Sequence, residues 1–161
     1  MKKILLLPLL AALVLVGCTG GDDYYDDYDF DYDYSYLEVE DIELDIDYPT
    51  QVAVDEGFDI TVVITNTADY AQTVTSIDLS RTYLEGVILT GSTPEYDESW
   101  DIPSWDFLSY DYWEDIPAGA SYEVVFHLDP FAAGDYQGSL DVCINYEDAC
   151  LYNSVRTVVS E

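Results

Sequence analysis

The sequence predicts an all-β antiparallel sandwich, and three observations predict it. Apolar and polar residues alternate at period two in several separate segments, turn-forming residues stand between those segments, and no long stretch shows helical periodicity. Phe58, Ile60, Val62 and Ile64 form one face of a strand, with Asp59, Thr61 and Thr65 opposite, and Asn66-Thr67-Ala68-Asp69 ends it. Tyr122, Val124, Phe126 and Leu128 repeat the pattern until Asp129-Pro130, where the ladder loses a donor. Tyr136, Leu140, Val142 and Ile144 make a third strand, and Leu151, Val155 and Val159 a fourth. Weaker alternation marks 37–48, 51–54, 73–79 and 86–90.

About seven strands between residues 37 and 161 is the size of an immunoglobulin-like sandwich. A chain of 161 residues holds one such domain. Cys143 alternates with Asp141 and Asn145, opposite the apolar side of its strand; Cys150 alternates with Tyr152 and Arg156. Both thiols therefore face the outer side of a hairpin turning near Tyr146-Glu147-Asp148. Placed directly across from each other, they are within reach of a disulfide. Metal ligation needs more Cys or His than the chain offers.

The N-terminus carries an export signal. Lys2 and Lys3 precede an apolar run from Ile4 to Val16, which ends in Gly17 before Cys18. The run is shorter than the roughly 20 residues a spanning helix needs. Leu15-Val16-Gly17-Cys18 resembles the bacterial lipobox. That resemblance implies removal of residues 1–17, lipidation of Cys18, and a lipid bilayer as the first partner. Each buried methylene contributes about 0.8 kcal/mol, and two or more acyl chains anchor stably where one does not. Thr19 stands where some bacteria place an acidic retention signal, which favours the outer membrane or cell surface over the inner membrane.

Residues 22–36 read DDYYDDYDFDYDYSY, seven Asp and six Tyr among fifteen residues. Like charges at this density repel and extend the segment, so 18–36 reads as a disordered tether. Weak cation capture and adaptation to a salt-rich habitat are the competing readings. Once Lys2 and Lys3 are removed, Arg81 and Arg156 face 34 carboxylates, a formal charge of −32. Such a surface excludes nucleic acid, whose affinity comes largely from Lys and Arg.

Three segments carry a family resemblance. They are Gly57-Phe58-Asp59-Ile60-Thr61-Val62-Val63-Ile64-Thr65-Asn66, then Ile116-Pro117-Ala118-Gly119-Ala120-Ser121, then Gly134-Asp135-Tyr136. Together they resemble the bacterial CARDB-type domain across about residues 51–160. The resemblance implies an immunoglobulin-like module of secreted and surface proteins, associated with adhesion and generally non-catalytic. The Cys143/Cys150 hairpin is not part of that family's usual pattern.

Catalytic chemistry has few carriers. His127 is the sole imidazole, with Glu123 and Val125 on its side of the strand, so it reads as a sheet-surface residue. The chain has no GxSxG, HExxH, EF-hand loop or phosphate-binding glycine loop, and the expectation is no enzyme and no obligatory cofactor. The unusual segment is 91–117, which holds all three tryptophans. There Tyr96, Trp100, Asp101, Trp105, Asp106, Tyr110, Tyr112 and Trp113 interleave aromatic faces with carboxylates. Those residues are the candidate binding surface, for another surface protein, a glycan or Ca²⁺. The competing reading makes them core and edge residues of one more strand. The expected function is a membrane-anchored interaction or adhesion module, with Ca²⁺ or carbohydrate binding through 95–115 as the alternative.

Overall fold

The computed structural model describes residues 39–146 and 149–161. The signal segment 1–17, Cys18 and the tether 18–36 lie outside the described residues. The described chain is all-β, ten strands in two sheets of four and six. These are β1 (Ile42–Asp47), β2 (Gln51–Ala53), β3 (Phe58–Asn66), β4 (Gln72–Ser80), β5 (Val87–Thr93), β6 (Glu98–Ile102), β7 (Phe107–Ile116), β8 (Ser121–Pro130), β9 (Gly134–Ile144) and β10 (Cys150–Ser160). The eight segments expected from alternation are all present. The count exceeds the expected seven or so because the aromatic segment folds into two further strands, β6 and β7.

One sheet runs β1-β3-β8-β5 and the other β2-β10-β9-β4-β7-β6. Every pairing is antiparallel except the short parallel contact of β2 with β10. Alternation on β3 sends Phe58, Ile60, Val62 and Ile64 inward, where they sit beside Leu128, Phe126, Val124 and Tyr122 of β8. From the facing sheet, Ile77 and Leu79 of β4 and Leu140, Val142 and Ile144 of β9 close the core. Each fully buried isoleucine or leucine contributes about 2 kcal/mol of transfer free energy. Tyr83 is also fully buried, and its hydroxyl lies 2.9 Å from that of Thr157.

Buried polar groups pin the end of the core. Asn66 is fully buried, and its Nδ2 donates to the carbonyls of Tyr70 at 2.7 Å and Ile116 at 2.9 Å. Its Oδ1 accepts from the amide of Ala68 and from Gln72 Nε2, while Gln72 Oε1 accepts from Asn145 Nδ2. Gly119, which follows Pro117 and Ala118, has φ +70°, a left-handed conformation that glycine adopts without penalty; its amide donates to the Asn66 carbonyl. The motif residues Asn66 and 116–121 are thus one hydrogen-bonded clasp between the sheets. Gly134 and Gly86 leave room for the Tyr136 ring, whose hydroxyl donates to the Ala132 carbonyl at 3.0 Å.

Candidate functional site

β7 divides the aromatic segment between inside and outside. Tyr110 and Tyr112 point into the core, and Tyr110 packs its ring 5.7 Å from that of Phe126 on the other sheet. Tyr96 is half-buried, its ring 5.1 Å from Tyr110. Burial pushes the Tyr110 phenol up to about 12 and raises that of Tyr112 further. Tyr110 and Tyr112 are therefore core residues and not part of an exposed surface, because the sandwich needs large side chains between its sheets at this end, and Tyr96 is half-buried against Tyr110.

Alternate residues of β4, β6 and β7, with the turns that hold Trp105 and Tyr146, build an outer groove of about 790 Å³. Trp100, Trp105, Trp113 and Tyr146 form its walls, and Ser76, Asp78, Ser109 and Asp111 its floor. The three tryptophans are 55%, 59% and 53% exposed, whereas Tyr110 and Tyr112, the other large aromatics of β7's alternation, are buried. Trp100 Nε1 donates to Asp111 Oδ2 at 2.9 Å. The β4 ladder shifts register between Val74 and Ser76, and beside that irregularity Trp113 adopts φ +47°. A left-handed tryptophan costs roughly 1 kcal/mol or more of backbone strain, held here by the surrounding ladder. Asp101 points away from the groove and pairs with Arg81, and Asp106 takes a left-handed turn position between β6 and β7. Of the residues expected at the site, the structure therefore brings Trp100, Trp105 and Trp113 together.

Beside Asp78 of the floor lies a second carboxylate, and alternation alone does not reveal the pair. Asp78 of β4 and Asp141 of β9 stand directly opposite each other, 7% and 2% exposed. Burial raises the Asp141 carboxyl to about 6, opposed by a hydrogen bond from the Ser139 hydroxyl and reinforced by the Asp78 charge. The disulfide expected from the hairpin is present, Cys143 bonded to Cys150 across one register position. Cys143 Sγ lies 3.7 Å from Asp78 Oδ2. Asp78, Cys143 and Cys150 are the one group of three metal-ligand types gathered within 4.8 Å among the described residues. A cystine has no thiolate to offer, so this group does not fit a metal while the bond is closed.

On the opposite outer face, that of the four-stranded sheet, His127 is half-exposed as expected for a surface strand residue. Its Nδ1 lies 2.8 Å from Asp59 Oδ1 and its Nε2 3.0 Å from Thr93 Oγ1. This order matches an acid–imidazole–hydroxyl relay. It sits on an open strand face, whereas such chemistry needs a water-excluded oxyanion site beside the hydroxyl. The arrangement serves as a clasp across β3, β8 and β5. Sequence spacing missed it because Asp59 and Thr93 reach His127 only through strand pairing.

No family model and no curated protein matches the chain. Solved structures resemble it through their fold. The cupredoxin domain of amoB from Nitrosocaldus yellowstonii overlaps 78% of this chain and 90% of its own, at 9% identity and a TM-score of 0.51. AvmM, which catalyses macrocyclization in alchivemycin A biosynthesis, overlaps 78% and 95%, at 13% identity and a TM-score of 0.53. The CARDB domain expected from the sequence is also represented: one from Pyrococcus furiosus, crystallised with di-metal ions, overlaps 80% and 98%, at 16% identity and a TM-score of 0.42. At these identities the overlaps with the cupredoxin domain and AvmM show a shared β-sandwich and nothing of activity. A blue-copper centre would need two imidazoles and a thiolate, and a chain with one histidine and a Cys143–Cys150 cystine does not supply them.

Proposed function

We propose that this chain is a bacterial cell-envelope lipoprotein, anchored through Cys18, whose β-sandwich is a non-catalytic recognition module that binds a glycan in the tryptophan-walled groove. One observation carries the reading: three tryptophans, each more than half exposed, surround one groove whose floor is hydroxyls and carboxylates. Leaving large rings in water forfeits burial worth about 2 kcal/mol apiece, so three together on one face mark an interaction site. The C–H face of a pyranose is apolar and matches the negative face of an indole, while Ser76, Ser109, Asp78 and Asp111 suit sugar hydroxyls.

Binding without turnover fits the placement of the acids. A glycosidase needs a protonated carboxyl touching the glycosidic oxygen. The carboxyl that burial raises here is Asp141, pushed up to about 6, and it is not among the residues lining the groove. Asp111 is engaged by the Trp100 indole. Ca²⁺ recruitment by 95–115 has weaker support, because Asp101 pairs with Arg81 and the segment gathers no trio of carboxylates among the described residues.

Two experiments test the reading. A glycan array probed with the full chain should give hits that Trp100→Ala removes, with no reducing ends released on incubation. Growth with labelled palmitate should label the wild type but not Cys18→Ser. An array without hits would reject the groove as a glycan site, and an unlabelled wild type would reject the anchor.

A further inference from the structure

We infer that the groove selects glycans bearing free ammonium groups, amino sugars, over neutral and anionic ones of the same length. The inference rests on the glycan reading above and adds the ligand's charge to it. The residues that line the groove include two carboxylates, Asp78 and Asp111, and no lysine, arginine or histidine. The domain's two arginines are engaged elsewhere: Arg81 pairs with Asp101, and Arg156 grips Asp135 through two bonds of 2.8 and 2.7 Å. Neither lines the groove.

Strand register arranges these groups in rows. Trp100, Ser109, Asp78 and Asp141 lie in line across β6, β7, β4 and β9; Glu98, Asp111, Ser76 and Cys143 form the next row. An ammonium above Asp78 meets a carboxylate that is nearly out of water, where attraction is stronger than at an exposed pair. A cation in the groove is also attracted by indole faces, and three tryptophans line it. Its three donors match carboxylate and serine acceptors on the floor. An N-acetyl group in that position brings no charge, and a uronic acid brings like-charge repulsion.

Isothermal titration of the full chain in detergent, buffered below the amine pKa, tests this with three hexasaccharides. They are the β-1,4-linked glucosamine hexamer, its N-acetylated counterpart, and a galacturonic acid hexamer. The glucosamine hexamer should bind at least about tenfold more tightly than the acetylated one, and the uronide should not bind. Asp78→Asn should bring the first two within about threefold of each other, and Asp111→Asn is the second variant should the first not fold. Equal affinity for the first two hexamers would overturn charge selection and leave the glycan reading standing. Failure of all three to bind would overturn both. A glucosamine preference that survives both substitutions and vanishes in high salt would assign it to the diffuse surface charge, overturning the site.

Discussion

Trp100 Nε1 donates to Asp111 Oδ2 at 2.9 Å, so the ring that walls the groove and the acid on its floor are held by one bond between β6 and β7. Trp100→Phe keeps an aromatic face and deletes that bond. Glycan affinity should fall at least about tenfold, since a hydrogen bond to a charged group contributes about 1.5–3 kcal/mol. Calorimetric titration reads the loss, and an unchanged melting temperature shows that the bond serves the site and not the fold.

Asp141 makes the fold pH-dependent. Its carboxyl rises from 3.8 unfolded to about 6 folded, chiefly through burial. Between those values the folded chain holds a proton that the unfolded chain has released. Stability is therefore full below pH 4 and declines as pH rises through about 6. Two pKa units set a ceiling of roughly 3 kcal/mol. Asp141→Asn should stabilise the protein by about 1–3 kcal/mol at pH 8 and have little effect near pH 4, measured by urea unfolding. An equal gain at both values would mean that titration of Asp141 is not the cause.

Asn66 ties β3 to the turn at 116–119. Asn66→Ala removes donors to Ile116 and Tyr70 and an acceptor for Ala68, leaving buried backbone groups unsatisfied. The cost should be about 2–4 kcal/mol, seen as a lower urea midpoint with unchanged slope.

The Cys143–Cys150 bond closes a loop with a sequence separation of 7. Loop-closure entropy for so short a loop is about 2–2.5 kcal/mol. Replacing both residues by alanine should cost about that much and leave the β9–β10 hydrogen-exchange pattern intact.

Much of this was legible along the chain, and what was not has a physical reason. Phe58 to Ile64 and Tyr122 to Leu128 declare their buried faces because one side is apolar and the other polar. The cystine was legible because a hairpin brings Cys143 to Cys150 locally. In β7 both sides are aromatic or acidic, so alternation groups Tyr110 with Tyr112 and Asp111 with Trp113 but does not say which pair faces the core. The Asp78–Asp141 pair depends on β4 lying beside β9, a pairing of strands distant in sequence with no local signature. Asp59, His127 and Thr93 meet for the same non-local reason.

The most direct test of the central claim is a tryptophan fluorescence titration of the full chain with array-positive oligosaccharides, beside a Trp100→Ala/Trp113→Ala variant. The groove reading predicts a saturable spectral change in the wild type and none in the variant, with both unfolding at nearly the same temperature, because these rings are exposed. A variant that binds the glycan as the wild type does would contradict it, as would one that loses binding only because it has unfolded.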